Sequence, residues 1–149
     1  MKMKSLICLL VAGLCSVTAF ASGLQTGSAY LGTNATSVAA ATTNTTTGAS
    51  FAAVDYKEVG IAVTFKETTA TAGTCYLFLD ASVDNTTWTP NYWTIPFVAN
   101  GTTTVNGLTN LTVNGIPFFR LGKIGNTSSD GVLTNFNMTV FVKKPASAF

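Results

Sequence analysis

From residue 51 onward the apolar positions recur with a period of two. Val59, Ile61, Val63 and Phe65 alternate with Gly60, Ala62, Thr64 and Lys66, and near the C-terminus Phe136, Met138, Val140 and Val142 stand against Asn135, Asn137, Thr139 and Lys143. Successive side chains of a strand point to opposite faces, so each run predicts a strand with one face in a core and one in water. The runs Cys75 to Ala81 and Ile116 to Leu121 are mostly apolar and predict more central strands, covered on both faces. No stretch of this region repeats at the three-and-four spacing of an amphipathic helix.

Punctuation supports the same class. Asn100-Gly101, Asn106-Gly107, Asn114-Gly115 and Asp130-Gly131 each supply two residues that tolerate positive φ, as a tight hairpin requires, and are expected to join antiparallel neighbours. Short strands, frequent turns and a high Thr and Val content predict an all-β domain, an antiparallel β-sandwich of Ig-like or jelly-roll type, over residues 51–149. The preceding residues 22–50 are dominated by Thr, Ala, Gly, Ser and Asn. They read either as a flexible arm or as edge strands around Ala29 to Leu31 and Ser37 to Ala41.

The first 21 residues follow a different logic. Lys2 and Lys4 precede an uncharged stretch from Ser5 to Phe20 that ends in Ala19-Phe20-Ala21, the layout of a secretory signal peptide cleaved after Ala21. The stretch is broken by Gly13, Ser16 and Thr18, short of the roughly 20 apolar residues of a transmembrane helix. Bulky Ile7 and Leu14 precede Cys8 and Cys15, which argues against a lipidation signal. The expected location is therefore secreted, periplasmic or at the cell surface, with no membrane span once the leader is removed.

Removing residues 1–21 changes the composition that matters. Of the 149 residues 128 remain, enough for one domain. Lys2 and Lys4 account for the whole formal charge of +2, and the remaining charges are scattered without a basic stripe, which excludes nucleic-acid binding of that kind. Charged residues form only 9% of the chain, against roughly 25% in ordinary soluble domains, so Thr and Asn must wet the surface. Cys75 is the one thiol left, so no intrachain disulfide can form. It alternates with Leu77 and Leu79 and reads as a buried, inert group.

Chemistry is sparse. The chain has no histidine, which removes the commonest general base and metal ligand. Asp80 and Asp84 are a close pair of carboxylates near aromatic residues, a pairing that in other settings hydrolyses glycosidic bonds. Asp80, however, alternates to the outer face of its strand, and Asp84 sits where a turn needs an Asp side chain. The loop Gly125 to Gly131 offers Asn126, Ser128, Ser129 and Asp130 with a single formal charge, a poor calcium ligand set. No catalytic residue, metal or cofactor is expected. The segment Trp88-Thr89-Pro90-Asn91-Tyr92-Trp93 is the most functional-looking one, with Trp88, Tyr92, Trp93 and Asn91 as candidate ligand-binding residues that stack on and hydrogen-bond to a sugar. The competing reading places Trp88 and one other ring in the core.

The run Ser82-Val83-Asp84-Asn85-Thr86-Thr87-Trp88, followed by Phe118-Phe119-Arg120-Leu121, resembles a pattern of small β-sandwich domains in phage and phage-like structural proteins. There a Ser-x-Asp hairpin ends in Trp and a later strand carries an aromatic-Arg pair. The resemblance spans roughly Phe51 to Lys144 and implies a sandwich with a structural or adhesive role, without assigning a site. A leader departs from what a virion component carries and favours a bacterial envelope or secreted protein. The expected function is a non-catalytic structural or assembly subunit of a surface layer, filament or particle. Its partners are other copies of the chain or other envelope and extracellular proteins. The alternative is a carbohydrate-binding or adhesive module.

Overall fold

In the computed structural model, residues 24–27, 37–46, 48–69, 73–99 and 101–143 are described, with residues 24–27 and 143 as backbone only. The predicted leader and Ala29 to Leu31 lie outside the described residues. The strands are β1 (Leu24–Gly27), β2 (Thr43–Thr45), β3 (Phe51–Ala52), β4 (Glu58–Glu67), β5 (Thr74–Ser82), β6 (Thr89–Val98), β7 (Thr104–Thr112), β8 (Phe118–Asn126) and β9 (Leu133–Lys143). All pairings between them are antiparallel.

Alternation decides which side of each strand is buried. Val59, Ile61, Val63 and Phe65 of β4 face inward, as do Cys75, Leu77 and Leu79 of β5 and Phe136, Met138, Val140 and Val142 of β9. Their partners come from the opposite sheet, so two sheets stack face to face around one apolar layer. One sheet has the order β1-β9-β4-β7 and the other β2-β8-β5-β6, with the short β3 also paired to β8. With β3 set aside, the order is that of a jelly roll. Among the described strands from β4 to β9, only β5 and β6 are both consecutive and hydrogen-bonded neighbours, whereas an Ig-like sandwich carries several such hairpins.

The turn dipeptides therefore act differently from the hairpin expectation. Gly101, Gly115 and Gly131 lie on connections that pass from one sheet to the other. Gly101 and Gly115 do adopt positive φ, 55° and 80°, so the turn geometry is as expected while the chain crosses to the other sheet instead of returning beside its neighbour. Asn100 lies outside the described residues. Asn106-Gly107 is not a turn at all, because it lies inside β7. Gly107 is required there for space, since a Cβ would collide with the Phe97 ring and stand 3.0 Å from Val63. The Phe97 ring thereby packs across the sandwich from β6 onto β7, the outer strands of the two sheets on the same side.

Bulges re-aim three strands. Asn135 has φ 53°, where β9 slips against β4 between Thr64 and Lys66, so both Leu133 and Phe136 reach the core. An extra residue, Gly122, lets Leu121 and Ile124 of β8 both face inward. β6 is irregular beside Asn91, φ 53°. The segment 22–50 contributes β1, β2 and a bridge from Val38 to Leu133. The second edge strand thus falls at Thr43–Thr45, beyond the expected Ser37 to Ala41, of which only Val38 is bridged.

Cys75 has no exposed surface, and burial pushes its thiol up from 9.0 to about 12. The unfolded chain loses this proton near pH 9 and the folded chain retains it. The resulting stabilisation is complete below about pH 9 and falls through the window up to 12, by roughly 1.4 kcal/mol per pH unit. Urea titrations at pH 8 and pH 10 should lose less stability in Cys75→Ala than in the parent. A thiol reagent should modify Cys75 only after unfolding.

Candidate functional surface

The β5–β6 hairpin owes its shape to one carboxylate. Asp84 Oδ1 accepts hydrogen bonds from the backbone N–H of Thr87 (2.7 Å) and of Thr86 (2.9 Å) and from Ser82 Oγ (3.0 Å). The N–H of Thr87, then that of Thr86, hold its carboxyl well below the usual carboxylate range. The group is committed to the turn. Asn85, φ 60°, completes it.

Asp80, on the outer face of β5, is equally committed. Its Oδ1 accepts the Asn91 N–H at 3.0 Å and its Oδ2 accepts Arg120 Nε at 3.3 Å. The carboxylate lies over Gly122, where any Cβ would strike it, so the β8 bulge provides its seat. The Arg120 guanidinium lies 4.2 Å from the centre of the Trp88 ring, a cation–π stack. The Trp at the end of the Ser-x-Asp hairpin and the Arg of the later Phe-Arg pair, remote in sequence, thus meet through Asp80 and Gly122.

The four candidate ligand-binding residues do not form one platform. Trp88 is partly buried beneath Arg120, on the outer face and apart from the core. Trp93 points inward and packs edge-on against Phe119, with ring centres 6.2 Å apart and planes at 79°. Tyr92 is 50% exposed and meets Trp93 at 71°, so the three rings share no plane. Asn91 is exposed with its backbone N–H used by Asp80.

A different part of the same sheet forms a groove. Tyr76 and Phe78 project outward from β5 as a pair, 6.2 Å between ring centres and 24° between planes. With Thr43, Thr94 and the bare backbone of Gly125 they border a depression of about 510 Å³. No lining residue is charged. A Cβ on Gly125 would come within 3.1 Å of Phe78 and 3.4 Å of Thr43 Oγ1, so glycine sets the depth. Cys75, Leu77 and Leu79 fill the inward positions, so alternation turns Tyr76 and Phe78 outward, and the Cys75 to Ala81 run is not covered on both faces as its composition predicts.

Adjoining this groove, which Asn126 and Thr127 also line, the Gly125 to Gly131 loop weighed for calcium has Asn126 and Ser128 internally satisfied. Asn126 Oδ1 accepts the Ser128 N–H at 2.9 Å, and Ser128 Oγ accepts the Gly131 N–H at 3.0 Å. Glu67, fully buried beside Gly131, has neither carboxylate oxygen hydrogen-bonded. Among the described residues no group of three or more His, Cys, Asp and Glu side chains is arranged to hold a metal ion. Among them, too, no helix is long and apolar enough to cross a membrane. No protein-family model and no curated protein matches the chain.

Proposed function

We propose that this protein is an exported, non-catalytic structural subunit that assembles with copies of itself. The supporting observation is a pair of strand edges, unpaired among the described residues, that lie on the same side of the sandwich, where the Phe97 ring meets Gly107. β6 and β7 are the outer strands of their sheets among the described residues, and they expose Tyr92, Val98 (70%) and Leu108 (73%). Neither strand carries a charge. Natural sheets usually guard an exposed edge with lysine, inward charges, proline or bulges; β6 carries Pro90, Pro96 and a bulge, whereas β7 has none of these guards and is suited to pairing with another chain. Export rests on the leader pattern of residues 1–21. Light scattering across a hundredfold range of concentration should give a mass that rises above the monomer. A monomer throughout would refute the assembly reading.

The groove of Tyr76, Phe78, Thr43 and Thr94 favours a second reading, binding of a neutral glycan. Ring faces and hydroxyls without charge suit a sugar's C–H faces and hydroxyl groups. Glycan-array binding that disappears in Tyr76→Ala and survives in Trp88→Ala would support it. No binding by the parent protein would remove it.

A further inference from the structure

β7 reads Thr104-Val105-Asn106-Gly107-Leu108-Thr109-Asn110-Leu111-Thr112. Its outward side chains, all exposed, are Thr104, Asn106, Leu108, Asn110 and Thr112. In order they are Thr, Asn, Leu, Asn, Thr, the same in both directions with Leu108 at the centre. A strand of that symmetry is complementary to itself when a second copy runs antiparallel to it. Each Thr then faces a Thr, each Asn an Asn, and Leu108 faces Leu108, the cross-strand pairs that stabilise a sheet.

The backbone is suited to this. β7 pairs with β4 through nine consecutive positions from Glu58–Thr112 to Lys66–Thr104 without a slip, so its outer edge is regular. The other outer strands are poorer templates. β6 contains Pro90 and Pro96 and is irregular beside Asn91, and β1 spans only four residues. Charges also agree. Glu58 lies beside Thr112 and Lys66 beside Thr104, so each end row of the joined sheet would run from Glu58 of one copy to Lys66 of the other. Opposite signs would stand at its two ends.

We propose that two copies of this chain join edge to edge through β7 about a two-fold axis at Leu108, fusing their four-stranded sheets into one continuous sheet. The proposal deepens the assembly reading and depends on it. It also accounts for Leu108, 73% exposed beside the small Ala62, because the axis buries each Leu108 against the other.

Residues facing one another across antiparallel strands have Cα atoms about 4.5 to 5.5 Å apart, within disulfide reach. Under mild oxidation Leu108→Cys should give a covalent dimer whose linkage, identified by peptide mass, joins the two introduced thiols. Val98→Cys, equally exposed on β6, should not. Leu108→Lys should weaken dimerisation roughly tenfold or more, by placing like charges opposite each other, with an unchanged circular dichroism spectrum. If the protein self-associates yet Leu108→Cys fails to cross-link, or Leu108→Lys dimerises as the parent does, the β7 pairing is wrong and the assembly reading stands. If the parent remains monomeric, both are wrong.

Discussion

Asn126→Ala is expected to destabilise the fold by about 3 kcal/mol, read as a lower urea midpoint at unchanged slope. Asn126 is 2% exposed at the end of β8. Its Nδ2 donates to the carbonyls of Gly131 (2.7 Å), Val38 (3.1 Å) and Ala39 (3.2 Å), while its Oδ1 accepts the Ser128 N–H (2.9 Å). Val38 O keeps the Leu133 N–H and Ala39 O keeps Thr42 Oγ1. The loss therefore falls on the Gly131 carbonyl and the Ser128 N–H, two buried groups worth about 1–3 kcal/mol each when orphaned. Amide exchange at Ser128 should accelerate with the loss of stability. A change below about 1 kcal/mol would mean that water replaces the side chain at no cost.

Glu67→Met is expected to do the reverse, raising stability by about 1–3 kcal/mol and Tm by several degrees. Glu67 has no exposed surface, its two carboxylate oxygens lack partners, and it lies against Gly131 so closely that no Cβ fits there. A thioether of similar length fills the same space without the cost of a buried, unpaired polar group. Glu67→Gln, which keeps unsatisfied polar atoms in that space, should gain less. A lower Tm for Glu67→Met in calorimetry would show that the carboxylate has a stabilising partner in solution.

β4 and β9 were legible because each places one apolar face in the core, and the alternation of Val59 to Phe65 and of Phe136 to Val142 carried over directly. β6 and β7 were less legible because outer strands bury little. Thr, Asn and Gly occupy most of β7, and its Asn-Gly pair resembles a turn. That dipeptide reports a backbone that tolerates positive φ or close approach, and only the Phe97 ring above Gly107 decides between them. A turn signal likewise carries no information about which sheet the chain enters next. The candidate site divided for a simpler reason. Trp88 and Trp93 lie on opposite faces of the sheet, as their odd spacing of five dictates for alternating side chains, and the irregularity near Asn91, which sets four residues of β6 against two of β5, leaves that parity unchanged.

Connections that cross between sheets also govern the order in which the molecule can form. Among the described strands, β5 with β6 is the only consecutive pair from β4 onward that can close locally. β4 must wait for β7 on one side and for β9 on the other. Contacts so distant in sequence make folding slow. β9 is the last of the described strands and lies between β1 and β4, so a chain emerging N-terminus first cannot complete this sheet until β9 has emerged. Until then β4 presents an open, uncharged stretch from Val59 to Phe65 to its surroundings, and the same strand chemistry that suits assembly must be kept apart from neighbouring chains.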